Sequence, residues 1–264
     1  MAITTFNGFI AAAKQYISLS KTAARTTAAT AWFSLFDLAG NPGGGVLAGT
    51  STTAGVVPTD ATAGCPVINA YGGGNIGYLS QIEFGSSVAC RLKIFDMVFK
   101  AGAYAFNANQ VLAAQPSYLS RMPGGSYADT QIWIEAVAAF TGNISIAITY
   151  TNQDGIAGRS TGTVVPGVSP TLGRMIQLPL QAGDSGVRSI DSVIATVSTA
   201  GTFNVLVLRP LWSGRVKIAN DGDVHDLAKT AMPEVMTDAA LILAVATDGT
   251  SSGIPDIEFV IANG

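Results

Sequence analysis

NISIAITYTNQDGIAG, residues 143–158, places Ile144, Ile146 and Ile148 at alternate positions and then breaks at Asp154-Gly155. Side chains of a strand point alternately to opposite faces, so this spacing gives one apolar face and one polar face. Asp-Gly supplies the positive φ that a tight hairpin turn needs. The stretch therefore reads as a half-buried strand entering a turn. From Trp32 onward the same grammar repeats, with short apolar runs at 88–99, 131–140, 190–197, 203–208, 239–246 and 257–261. Gly, Pro, Asn and Asp cut these runs apart, and Asn41-Pro42-Gly43 is a second clear turn. Short strands at regular intervals predict an all-β chain built of β-sandwich, jelly-roll-like domains. Helix is scarce, with one or two turns expected at 224–231.

The chain also echoes itself at a period of about 110 residues. Gly64, Gly74 and Gly77 return as Gly173, Gly183 and Gly186. Met122-Pro123 returns as Met232-Pro233, Asp129 as Asp238, Gly155 as Gly264, and 56–58 as 164–166. Fixed self-similarity means repeated structural units. The expected organisation is an arm and linker at 1–30, a first β-sandwich at 31–147 and a second at 148–264.

Within 1–30, Phe6, Phe9, Ile10, Ala13 and Ile17 fall at helix-like intervals behind a candidate Asn7 cap. The Ser/Thr/Ala-rich segment 20–31 has almost nothing to bury and reads as a linker. Lys14, Lys21 and Arg25 stand in the first 36 residues without an acid, which suits docking onto an acidic protein neighbour. The contact residues expected from this arm are Phe6, Phe9, Ile10, Tyr16 and Ile17. The N-terminus lacks the charged start and unbroken apolar core of a secretion signal, so synthesis and folding in a cytoplasm are expected.

Hydrophobic residues are 48 % of the 264 and charged residues 12 %, against roughly 25 % charged in an ordinary soluble domain. Mean hydropathy is +0.38, yet no apolar run approaches the ~18 residues of a membrane span. A surface so poor in charge predicts burial against other subunits. A net charge of −3 offers no attraction to nucleic acid. Cys65 and Cys90 stand outside any CxxC pair and His225 is the only histidine, which speaks against zinc. The two cysteines read as buried free thiols, with pairing left open.

Three patterns resemble chemical sites. Gly249-Thr250-Ser251-Ser252-Gly253 fits GxSxG, but a nucleophile elbow needs a strand before and a helix after, and only His225 is available as base. Gly72, Gly74 and Gly77 fit GxGxxG, but residues 78–84 read as a strand where a phosphate would need a helix N-terminus. Asp221, Asp223 and Asp226 concentrate acid and are a weak candidate for Ca²⁺. Asp221-Gly222 also reads as a turn and Asp223 as a helix cap. No catalytic residue and no cofactor is expected. Trp133 and Trp212 sit inside apolar runs, where a core role is favoured over a sugar platform.

MPGGSYADTQIWIEAVAAFTGNISIAITYTNQDG (122–155) and LWSGRVKIANDGDVHDL (211–227) resemble virion structural proteins of tailed bacteriophages, of the capsid decoration or cement type. The likeness lies in a Gly/Ala/Thr-rich, charge-poor β-texture, an N-terminal arm and tandem units. It implies a non-enzymatic protein on the outer capsid lattice, commonly a trimer, partnered by the major capsid protein and by copies of itself. It implies a virion location after synthesis in a bacterial cytoplasm, with neither nucleic acid nor membrane as partner. Tail, collar or fibre components, and a carbohydrate-binding module for host recognition, stand as alternatives.

Overall fold

The computed structural model describes residues 3–105, 109–165, 171–195 and 200–264. Pro166 of the repeated Val-Val-Pro and the end of the run at 190–197 lie outside them. The chain is all-β, and each of the apolar runs named above falls on a strand. After a short helix, α1 (Phe6–Ala11), come β1 (Ala13–Ser18), β2 (Ser20–Lys21), β3 (Trp32–Ser34) and β4 (Gly40–Asn41). Then follow β5 (Gly77–Ser86), β6 (Cys90–Ala105), β7 (Asn109–Val111), β8 (Gln131–Ala138) and β9 (Ile146–Asn152). The second part holds β10 (Arg159–Ser160), β11 (Arg174–Leu178), β12 (Val187–Ala195), β13 (Thr202–Val216) and β14 (Asp221–His225). It ends with α2 (Leu227–Thr230), β15 (Glu234–Val235), β16 (Leu241–Thr247) and β17 (Pro255–Asn263).

In β9 the isoleucines and Tyr150 turn inward in strict alternation, and Gly155 takes φ +82° in the turn that follows. β16 behaves differently. All seven of its residues are buried, because both of its faces are covered. Leu241, Leu243 and Val245 join one core, while Ile242 and Ala244 join another. A continuous apolar run in place of alternation is the signature of such a doubly covered strand.

The strands form a closed barrel, ordered β11-β3-β16-β6-β13-β8, flanked by two sheets ordered β1-β17-β5-β14 and β10-β9-β12-β7. One core lies between the barrel and the first sheet, around Phe33, Ile82, Phe84, Leu92, Trp212 and Phe259. A second lies between the barrel and the other sheet, around Phe99, Ile134, Ile148, Tyr150, Ile190 and Phe203. The third fills the barrel with Phe95, Met97, Trp133, Met175, Leu206, Leu208 and Ile242. Long β6 and β13 pass through all three cores, which makes them the spine of the molecule.

The repeat is legible in this topology. β1, β3 and β5–β9 correspond in order to β10–β14, β16 and β17. β1–β17 matches β10–β9, β5–β17 matches β12–β9, and β5–β14 matches β12–β7. β16–β6 matches β8–β13, and β3–β16 matches β11–β8. The ladders β6–β13 and β3–β11 each match themselves. The turns recur as well, since Gly74 and Gly183 both hold positive φ ahead of β5 and β12.

Two expectations about domain organisation change here. The correspondence puts the join between repeats in residues 153–158, later than 147. Among the described residues every ladder except the short β2–β4 pair joins one repeat to the other, so 31–147 and 148–264 are not consecutive bodies. The sandwich-like cores exist, but each is woven from both halves. The main asymmetry is the β3-to-β5 connection, residues 35–76, whose counterpart spans only 179–186. Phe36, Leu47 and Cys65 from this long connection pack into the barrel core as a plug.

The arm at 1–30 is largely integrated. β1 pairs with β17 throughout its length, and Ile17 and Leu19 enter the core. Arg25 is buried in an ion pair with Asp37, and Thr27 N–H donates to Thr250 O at 2.9 Å. The segment read as a linker is pinned through backbone and charge, signals that apolar periodicity does not report.

Candidate assembly surface

The first helix stands away from the cores. Thr5, rather than Asn7, caps α1 by accepting from Gly8 N–H at 3.0 Å. Lys14 closes the other end, its Nζ donating to the carbonyls of Phe9 and Ala12 and sitting 5.1 Å from the Phe9 ring. No residue of this helix is buried. A helix this short is not stable by its own hydrogen bonds. It instead exposes Phe6 (68 %) and Ile10 (59 %), and Tyr16 on β1 is 80 % exposed.

β1 alternates, so the expected contact residues separate. Tyr16 faces out, whereas Ile17 belongs to the core and leaves the contact set. Phe9 is half-buried over a groove of about 440 Å³ on the outer face of the first sheet. Tyr16, Lys14, Gln81, Glu83, Glu258 and Val260 also line it. Glu83 and Glu258 stand directly opposite on β5 and β17, both exposed. Like charges in that relation repel.

The acidic segment resolves differently from the expected turn and metal loop. Asp221 and Asp223 lie on β14 paired with β5, and the preceding turn is at Ala219-Asn220. Asp226, not Asp223, caps α2 through the N–H groups of Ala228 and Lys229, each at 3.1 Å. The Asp223 carboxylate accepts from its neighbour's Val224 N–H at 2.8 Å, which holds it below the ordinary carboxylate value. Among the described residues no group of three His, Cys, Asp or Glu is placed to hold a metal ion.

Other candidates are engaged elsewhere. His225 Nδ1 accepts from Trp212 Nε1 at 3.0 Å and its ring packs edge-on against Phe84. Ser251 bridges to Thr26, and its Oγ accepts from Gly253 N–H at 3.2 Å. Gly72–Gly74 form a tight turn leading into β5, the strand expected there. Trp133 and Trp212 are buried, and Trp32 is half-covered with Lys93 Nζ 4.8 Å from its ring. Cys65 and Cys90 are free and buried, and burial pushes the Cys65 thiol up to about 12. Of the cations expected to dock onto a neighbour, Lys21 and Arg25 are buried and hydrogen-bonded within the chain.

Two buried polar clusters were not anticipated. Asp96 on β6 is fully enclosed, paired with Arg121 and lying 3.7 Å from Arg209, and it accepts from Ala240 N–H at 3.1 Å. Burial raises its pKa while the two guanidiniums oppose that rise. Arg121 also reaches Asp238 at 3.2 Å and the carbonyl of Pro58. In the second, Asn204 Nδ2 donates to Glu135 Oε2 at 2.9 Å, and Lys100, also buried, donates from Nζ to Val46 O at 2.9 Å. The signal for both was available: single charged or amide residues stand inside the apolar runs IFDMVFKAG, IWIEAV and FNVLVLRP.

No family model matches this sequence and no curated protein does. Among solved structures, "Structure of infectious bursal disease virus Gt strain" is 10 % identical, covering 96 % of this chain and 81 % of that one at a TM-score of 0.20. "Crystal structure of infectious bursal disease virus VP2 subviral particle" is 11 % identical, covering 96 % and 80 % at a TM-score of 0.16. So little backbone superposes at these scores that neither fold nor role transfers.

Proposed function

We propose that the chain is a non-enzymatic structural protein of a virus particle, a cement or decoration component that bridges neighbouring capsid subunits on a tailed-bacteriophage head. The observation that carries this reading is the solvent-facing apolar set Phe6, Ile10 and Tyr16, on a helix without a buried residue and the edge strand beside it. Burying a large apolar side chain stabilises by about 1.5–3 kcal/mol, so docking these three would order the helix and bind a neighbour together. The woven repeats behind them supply a rigid body on which such a clamp can bear load. The partners in this reading are the major capsid protein and further copies of the chain as a trimer, and the location is the virion.

The test is the triple substitution Phe6→Ser, Ile10→Ser, Tyr16→Ser. These side chains are exposed, so thermal stability should stay within a few degrees of the parent. Occupancy on purified particles should fall at least tenfold. Full occupancy by the triple variant would overturn the reading. Deleting 1–30 would be a poorer experiment, since it removes Ile17, Leu19 and Arg25 from the body.

A further inference from the structure

Two like-charge pairs stand opposed across strand ladders, one of each sign. Arg91 of β6 faces Arg215 of β13, and Glu83 of β5 faces Glu258 of β17. All four are exposed, and among the described residues none of them has an ion-pair partner. Lys93, two residues beyond Arg91 on the same strand face, is half-buried and likewise lacks one. Opposed like charges destabilise a ladder, so each pair is a cost that its own chain leaves uncompensated.

Strand alternation keeps the two pairs apart within one chain. Leu92, Ile94 and Val216 enter the core between the barrel and the first sheet, and Ile82, Phe84, Ile257 and Phe259 enter the same core from the sheet. Arg91, Lys93 and Arg215 therefore point away from the first sheet, while Glu83 and Glu258 point away from the barrel. The guanidinium carbon of Arg91 lies 5.6 Å, and Lys93 Nζ 4.8 Å, from the half-covered Trp32 ring. Glu83 and Glu258, with Asp256, line an open trough of about 890 Å³. Gly85 and Gly222 stand opposite each other in it, so that part of the floor carries no side chains and admits long cationic ones. Lys14, the cation lining the adjoining groove, turns its Nζ to the carbonyls of Phe9 and Ala12.

We propose that Arg91, Lys93 and Arg215 of one copy dock into the trough bearing Glu83, Asp256 and Glu258 of a second copy. This deepens the contact between copies within the proposed function and rests on that part of it. Arginine–carboxylate hydrogen bonds are among the strong ones, and Trp32 adds apolar area beside them. The two surfaces face opposite ways from one core, so the contact is heterologous, and its repetition closes a ring or extends a chain. Dilution separates the two charge effects: in the monomer each pair repels, and in the assembly each gains its counter-charge.

Sedimentation velocity of the full chain at low and high salt tests the contact. The parent should self-associate at low salt and dissociate at high salt. Arg91→Glu with Arg215→Glu should weaken association by about tenfold or more, as should Glu83→Lys with Glu258→Lys. Each double variant keeps a like-charge pair on its ladder, so the melting temperature in dilute solution should stay near that of the parent. Mixed in equal amounts, the two double variants should associate again, since one is acidic on both surfaces and the other basic on both. Where a reversed variant fails to fold, Glu83→Gln with Glu258→Gln takes its place, with the same loss expected. A parent that stays monomeric at every concentration and salt would overturn the proposal, as would association indifferent to salt and to these changes. Loss without recovery on mixing would show that these two surfaces are not each other's partners. The triple variant Phe6→Ser, Ile10→Ser, Tyr16→Ser should keep the salt-dependent association, so failure of particle docking and failure of the contact between copies are read separately.

Discussion

Met97 of β6 and Leu208 of β13 face one another across their ladder, and each occupies the other's place in the repeat. Both point into the barrel core, which they share with Phe95 and Leu206. Around this point the repeats exchange strands, so the halves interlock instead of sitting side by side.

That interlocking predicts the behaviour of a split chain. Residues 1–155 and 156–264, expressed separately, should each fail to show a cooperative thermal transition, because their ladders lack partners. Expressed together they should co-purify and regain the β-rich circular dichroism of the intact chain. A folded, soluble single half would contradict the woven topology.

Asp96 is held by Arg121 and Arg209 with no water access. Arg121→Met leaves a buried carboxylate with a weaker partner, and urea denaturation should show a loss of about 3–5 kcal/mol. Combining Asp96→Leu with Arg121→Met should cost less than the sum of the single changes, since the pair is removed together.

Asp184 accepts from Arg159 Nε and Nη2, each at 2.9 Å, from Asn152 at 2.8 Å and from Tyr150 at 2.7 Å. The Arg159 hydrogen bonds, foremost among these, hold its pKa at about 2, below the ordinary 3.8. A depressed carboxylate contributes stability above the unfolded-state value and loses it as pH falls toward the folded one. The parent should therefore weaken between pH 3.8 and about 2. Asp184→Asn should be less stable at neutral pH and show a flatter melting temperature across that window.

Glu258→Gln removes the charge opposite Glu83 on an exposed face. Stability should rise by about 0.2–1 kcal/mol at low salt, and the gain should shrink at high salt. An equal gain at all ionic strengths would assign the effect to something other than repulsion.

Much of the fold was legible in the residues. Alternation at Ile144, Ile146 and Ile148 gave a strand with the correct inward face, and the recurring glycines gave a true structural repeat. Partner choice was not legible, because period-two alternation says which face is buried and nothing about which strand lies alongside. Strand spacing looks the same whether two sandwiches stand in series or exchange strands. The surface was half legible for a similar reason. Helix-like spacing flagged Phe6 and Ile10, but the chain turns to strand at Ala13, and that change of period sends Ile17 inward while Tyr16 stays out. Arg25 read as a docking charge because its partner Asp37 only becomes a neighbour in the fold.

An electron cryo-microscopy map of particles from the source that encodes this chain puts its assignment to a virion at risk. The predicted result is density for the woven barrel at subunit boundaries of the shell, with Phe6, Ile10 and Tyr16 buried against a neighbour. Particles complete without this chain, with the protein recovered free and monomeric, would contradict it.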